Sequence, residues 1–90
     1  MIKYKVVQLC QQDAISIIPL ERIQIDLAKT TEYLNQHDFK AENQEIMITA
    51  AKDNLEVSIY KNGRILISGT TSKETAENLG SEIYALQIDD

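Results

Sequence analysis

Most of this chain repeats its apolar residues with one of two periods, and the period names the element. In residues 2–9, Ile2, Tyr4 and Val6 fall on one side of an extended segment and Lys3, Lys5, Val7 and Leu9 on the other. The β-branched and aromatic content supports a strand. Period two returns three more times. Residues 45–51 set Ile46, Ile48 and Ala50 against Met47, Thr49 and Ala51. Residues 55–60 set Leu55, Val57 and Ile59 against Glu56, Ser58 and Tyr60. Residues 64–68 set Ile65 and Ile67 against Leu66 and Ser68. Lys52, Asp53 and Asn54 supply turn chemistry, and Asn62-Gly63 is a strong hairpin signal because both residue types tolerate positive φ.

The helical period appears twice. Asp26 is placed to cap a helix over residues 27–36, with Leu27, Thr30 or Thr31, and Leu34 on its buried stripe and Tyr33 at the edge. A start near Leu20 is the alternative, and Ile23 and Ile25 alternate as a short extended segment would. Near the end of the chain, Ala76, Leu79, Ile83 and Leu86 recur on one helical face, and Thr71 with Glu74 forms a T-x-x-E capping box ahead of it. Gly80 inside that helix costs about 1 kcal/mol relative to alanine, which close packing on a sheet would explain. Residues 10–19 show no period and read as irregular, closed by Pro19.

The resulting order is β-α-β-β-β-α. It predicts an α+β fold, a four-stranded antiparallel sheet with two helices packed on one face, as a single domain over residues 1–90. Ile46, Ile48, Val57, Ile59, Ile65 and Ile67 would face the helices. The opposite face would carry Val7, Leu9, Met47, Thr49, Ser58, Tyr60 and Leu66. That set is too apolar for a solvated sheet and too polar for a core, so it reads as a binding surface unless loops or residues 10–19 cover it. Its methionine and tyrosine suit a protein interface. Sheet edges offer a second route, by strand pairing between copies.

Composition narrows the partners. Ninety residues, 43% hydrophobic and 26% charged, make one small globular core whose stability would gain from oligomerisation. A formal net charge of −5 argues against nucleic acid. Lys3 with Lys5 and Lys61 with Arg64 are close pairs, but neither makes a basic stripe along the chain. Cys10 is the single cysteine and cannot form an intramolecular disulfide, which fits a cytoplasmic setting. The first ten residues lack the apolar run of a signal peptide, and no stretch approaches a membrane span.

Candidate chemistry is sparse. One histidine, His37, and one cysteine fall short of a zinc ligand set, so no metal or other cofactor is expected. Cys10, beside Gln11, Gln12 and Asp13, has no neighbouring positive charge to activate it. His37 would be the only base for a serine nucleophile, and no G-x-S-x-G elbow exists. The carboxylate pairs Glu42 with Glu45, Glu74 with Glu77, and Asp89 with Asp90 read as solvated or helix-stabilising. The most chemical-looking stretch is Gly69, Thr70, Thr71, Ser72 and Lys73, a candidate anion site at a helix start, although the capping box explains the same residues more cheaply.

The hairpin and helix of residues 58–86 carry two resemblances. Gly63, the strand over residues 64–68, Gly69 and the helix from Ser72 resemble the closing hairpin and final helix of one half of the TATA-binding-protein fold. That fold implies a curved antiparallel sheet with two helices on its convex side. The stretch SIYKNGRILISG, residues 58–69, is loosely similar to a pattern in the C-terminal tail of ThiF/MoeB-type adenylyltransferases. Departures limit what carries over. The chain has room for one half where a TATA-binding protein needs two, and Phe39 is its only phenylalanine, so the paired wedges are missing. It has no G-x-G-x-x-G and no G-K-[ST], so the adenylyltransferase nucleotide apparatus is missing too. The expectation is a non-enzymatic interaction module acting as a homodimer or partner-binding subunit. The alternatives are an accessory protein for sulfur-carrier or adenylyltransferase chemistry, and nucleic-acid binding through the sheet.

Overall fold

A computed structural model describes residues 3–9, 13–70 and 72–87. Its strands are β1 Tyr4–Leu9, β2 Ala14–Pro19, β3 Lys40–Asn43, β4 Met47–Lys52, β5 Leu55–Tyr60 and β6 Ile65–Ser68, and its helices are α1 Leu27–Gln36 and α2 Lys73–Ala85. The α+β class stands, but the expected four-stranded sheet is corrected to six antiparallel strands in the order β1-β2-β6-β5-β4-β3.

The two added strands lie where the sequence pattern is weak, for different reasons. β2 is an interior strand between β1 and β6 in which Ala14, Ile15, Ser16 and Ile17 are all buried; Ile15 and Ile17 face the core and alternate with Ala14 and Ser16 over too short a stretch to stand out. Pro19 sits at its end, beyond the residues paired with β6, where no ladder donor is lost. β3 is an edge strand of mostly exposed polar residues, and only its pairing with β4 makes it a strand. Lys40 and Glu42 there blunt the edge against further pairing.

The helices follow from their caps and stripes. Asp26 Oδ1 accepts from Lys29 N–H at 3.0 Å and starts α1 there, not near Leu20. Ser72, not Thr71, is the N-cap of α2: its Oγ accepts from Thr75 N–H at 3.2 Å. The expected cap residue Thr71 lies outside the described residues. α1 covers β3 and β4, and α2 covers β1 and β2. Both pack on one face, where Ile15, Ile17, Ile48, Val57, Ile59, Ile65 and Ile67 meet Leu34, Ala76, Leu79 and Ile83. Each buried Ile, Leu or Val side chain among them contributes about 1.5–3 kcal/mol. Gly80 is the close approach of α2 to the sheet, since a Cβ on it would lie 2.6 Å from Ile17 Cδ1.

Ile46 does not join this core. It is 73% exposed in the β3–β4 turn, where Glu45 takes φ +73° and the strand begins only at Met47. The β5–β6 turn also differs from a two-residue Asn-Gly turn. Tyr60 N–H donates to Arg64 O and Gly63 N–H to Tyr60 O, enclosing a three-residue loop in which Gly63 alone takes positive φ, +99°. Tyr84 O–H donates to Gly63 O at 2.7 Å and ties this turn to α2.

Gln87 joins the two helices. Its Oε1 accepts from Asp26 N–H at 2.7 Å, and its Nε2 donates to Thr30 Oγ1 at 3.0 Å and to Ile83 O at 2.8 Å.

Candidate functional site

Strand alternation that buries one set of side chains under the helices puts the other set on a face where no helix packs. Tyr4 and Val6 pack against the core, so Lys5 and Val7 point the other way. The register then builds one row across all six strands: Val7, Ser16, Leu66, Ser58, Thr49 and Glu42. A neighbouring row begins with Lys5 opposite Ile18 on β1 and β2, and holds Met47 opposite Tyr60 on β4 and β5. On the other side lies the row from Leu9 and Ala14 through Ser68 and Glu56 to Ala51 and Lys40.

Six of the seven residues expected on this face therefore share it: Val7, Met47, Thr49, Ser58, Tyr60 and Leu66. Val7 and Tyr60 are each 37% exposed, while Met47, Thr49, Ser58 and Leu66 are half-buried between their strand neighbours. Leu9 ends β1 opposite Ala14, and its side chain lies outside the described residues. Ser16 and Ile18 belong to the same surface and escaped the sequence reading, because residues 10–19 were expected to be irregular. Ser16 is buried although it lies on the helix-free face, and its Oγ accepts from Arg64 Nε at 3.5 Å.

Charge divides the surface along the strands. The end formed by the start of β1, the exit of β2 and the β5–β6 turn gathers Lys3, Lys5, Arg22, Lys61 and Arg64, with Glu21 and Glu45 among them. Two pairs that looked isolated along the chain are thus brought to one end. Glu56 and Lys40 share the row at the opposite end of the strands, and Glu42 closes the central row at the β3 edge.

The stretch expected to bind an anion is largely committed to itself. Gly69 N–H donates to Asp13 O at 2.7 Å, Ser72 N–H to Thr70 Oγ1 at 3.0 Å, and Ser72 Oγ is occupied by Thr75 N–H. Gly69 takes φ +94° and Lys73 opens α2, while Thr71 is outside the described residues. Cys10 and the Asp89–Asp90 pair also fall outside them. His37 is the C-cap of α1, with its ring 4.2 Å from that of Tyr33. Among the described residues, no three His, Cys, Asp or Glu side chains gather as metal ligands would, and no helix is long and apolar enough to cross a membrane.

The perturbed ionisations belong to the frame, not to a catalytic cluster. Burial, with Tyr4 beside it, pushes the Tyr84 phenol well above its ordinary range. Burial and then the Glu82 carboxylate raise Tyr33. No family model, curated protein or solved structure matches the chain.

Proposed function

We propose that the chain is a non-enzymatic binding module that works through the helix-free face of its sheet, and that its partner there is a second copy of itself. The observation that carries the reading is a pair of adjacent rows, one with Val7 and Leu66 and the next with Tyr60 and Met47, that form an apolar and aromatic surface on a face without a helix. A two-fold axis lying across the strands pairs the central row through Leu66 with its own copy and lays the Arg64 end of one β6 over the Ser68 and Glu56 end of the other. The interface is then self-complementary, as an isologous dimer requires. Half-buried Ser58 and Thr49 keep the face wettable in a free monomer, in keeping with an interface that is not all apolar.

Leu66→Glu tests this. Leu66 sits mid-row between Ser16 and Ser58 and outside the core cluster, so a carboxylate there leaves the fold intact and places like charges together at the axis. The expected result is a folded monomer by circular dichroism and light scattering. A variant that self-associates as the wild type does would sink the reading.

The five basic side chains at one end favour a second reading, nucleic-acid binding through the same face, against the net charge of −5. Salt-sensitive binding of DNA or RNA to the wild-type chain, weakened by Arg64→Gln, would replace the first reading with this one.

A further inference from the structure

Where β2 ends and β5 turns into β6, a groove of about 520 Å³ opens between residues 20–23 and the hairpin turn. Its apolar wall is Ile18, Pro19 and Ile23, and its polar lining includes Arg22, Asn62 and Arg64. These come from distant parts of the chain. Ile25 N–H donates to Lys61 O at 2.9 Å and straps the extended segment to the turn, while Ile23 seats against the bare Cα of Gly63.

The polar groups are already oriented. Arg64 donates its Nε toward buried Ser16, which leaves both Nη groups for a ligand. Asn62 spends its Oδ1 on Arg64 N–H at 3.1 Å, which leaves its NH₂ donors. Two further concavities meet this one at Asn62, one lined by Lys61 and the other by Tyr60 and Leu66. The lining is thus rich in donors and cations, with Glu21 as the opposing carboxylate.

We propose that this groove binds a small organic anion, a carboxylate or phosphate monoester carried on a compact apolar body. The oxyanion is held between the guanidinium groups of Arg22 and Arg64 and the Asn62 amide, by the charge-assisted bonds that arginine forks make best. The body rests on Ile18, Pro19 and Ile23, the usual division of a ligand site into apolar wall and few polar anchors. Glu21 selects a ligand of low charge over a polyphosphate. Ile18 and Arg64 belong to the face proposed to self-associate, while Glu21, Arg22 and Asn62 lie off the strands, so the titration is also run on the monomeric Leu66→Glu variant, which is expected to bind equally well.

The test is amide NMR of the full chain titrated with phenyl phosphate and, separately, phenylacetate, each against sodium chloride at matched ionic strength. The expected result is saturable shifts centred on Leu20, Arg22, Ile23, Asn62 and Arg64 with at least one probe, and the tighter probe tells phosphate from carboxylate. Arg22→Gln, which lies outside every strand and helix, weakens that binding about tenfold, the loss of one charge-assisted contact. Glu21→Gln strengthens it severalfold. The proposal is overturned by the absence of a saturable shift with either probe at millimolar concentration, by equal shifts with chloride alone, or by binding that survives in a folded Arg22→Gln, Arg64→Gln double variant.

Discussion

Replacing Tyr84 by phenylalanine tests how the hairpin turn is locked to α2. Tyr84 is buried, and its hydroxyl donates to Gly63 O at 2.7 Å, so the substitution keeps the ring against Tyr4 and removes only that bond. A buried hydrogen bond contributes about 1 kcal/mol net, and a carbonyl left without its donor costs about 1–3 kcal/mol, so a loss of about 1–2 kcal/mol is expected at neutral pH. For a domain of this size that lowers Tm by roughly 4–12 °C. The pH dependence gives a second, independent readout. The folded state holds the Tyr84 phenol protonated above its ordinary range, chiefly through burial. The folded protein therefore binds a proton that the unfolded chain releases near its ordinary value of about 10. Stability from this group is complete below that pH and falls by about 1.4 kcal/mol per unit above it, until the folded phenol itself ionises. Phenylalanine has nothing to lose, so the wild-type advantage shrinks as pH rises past 10 and is largely gone by about pH 11. Urea unfolding of both proteins at pH 7 to 11, with m-values compared, measures it. Equal stability at pH 7, or a gap unchanged across that range, would refute the reasoning.

Two further substitutions probe the frame. Gly69→Ala forces a side chain into φ +94° and drives its Cβ into the Asn54 carbonyl oxygen, so a loss of about 2–4 kcal/mol is expected from denaturant midpoints. Asp26→Ala removes the N-cap bond to Lys29 N–H and should cost about 1 kcal/mol, while asparagine at the same position recovers most of it; thermal unfolding of the two variants separates cap geometry from charge.

The parts of the fold legible in the sequence are those where local pattern and tertiary role agree. Asp26 and the stripe through Leu34 define α1, and Ala76, Leu79 and Ile83 define the buried side of α2. Along β4, β5 and β6 one face is covered and the other is not, so side chains alternate and the helix-free face follows from parity alone. β2 was hidden because its alternation, Ile15 and Ile17 against Ala14 and Ser16, is short and broken by Ile18 and Pro19, and β3 because a polar edge strand takes its conformation from its partner. Ile46 misled because an apolar residue in register with the core lies in a turn that Glu45 bends out of the strand. The basic end was invisible for a different reason. Lys3, Lys5, Arg22, Lys61 and Arg64 are spread over most of the chain, and only the pairing of β2 with both β1 and β6 brings them together. The groove between Arg22 and Arg64 depends on the same pairing and on a strap between backbone groups, Ile25 to Lys61, that no periodicity announces.

The central claim is that the helix-free face joins two copies, and light scattering after size exclusion, over a wide range of loading concentrations, tests it most directly. The wild-type molar mass is expected to rise with concentration toward twice the 10.2 kDa of one chain, and the Leu66→Glu variant to stay at the monomer mass. A wild-type mass that stays at one chain throughout, or a Leu66→Glu variant that dimerises alongside it, would contradict the account.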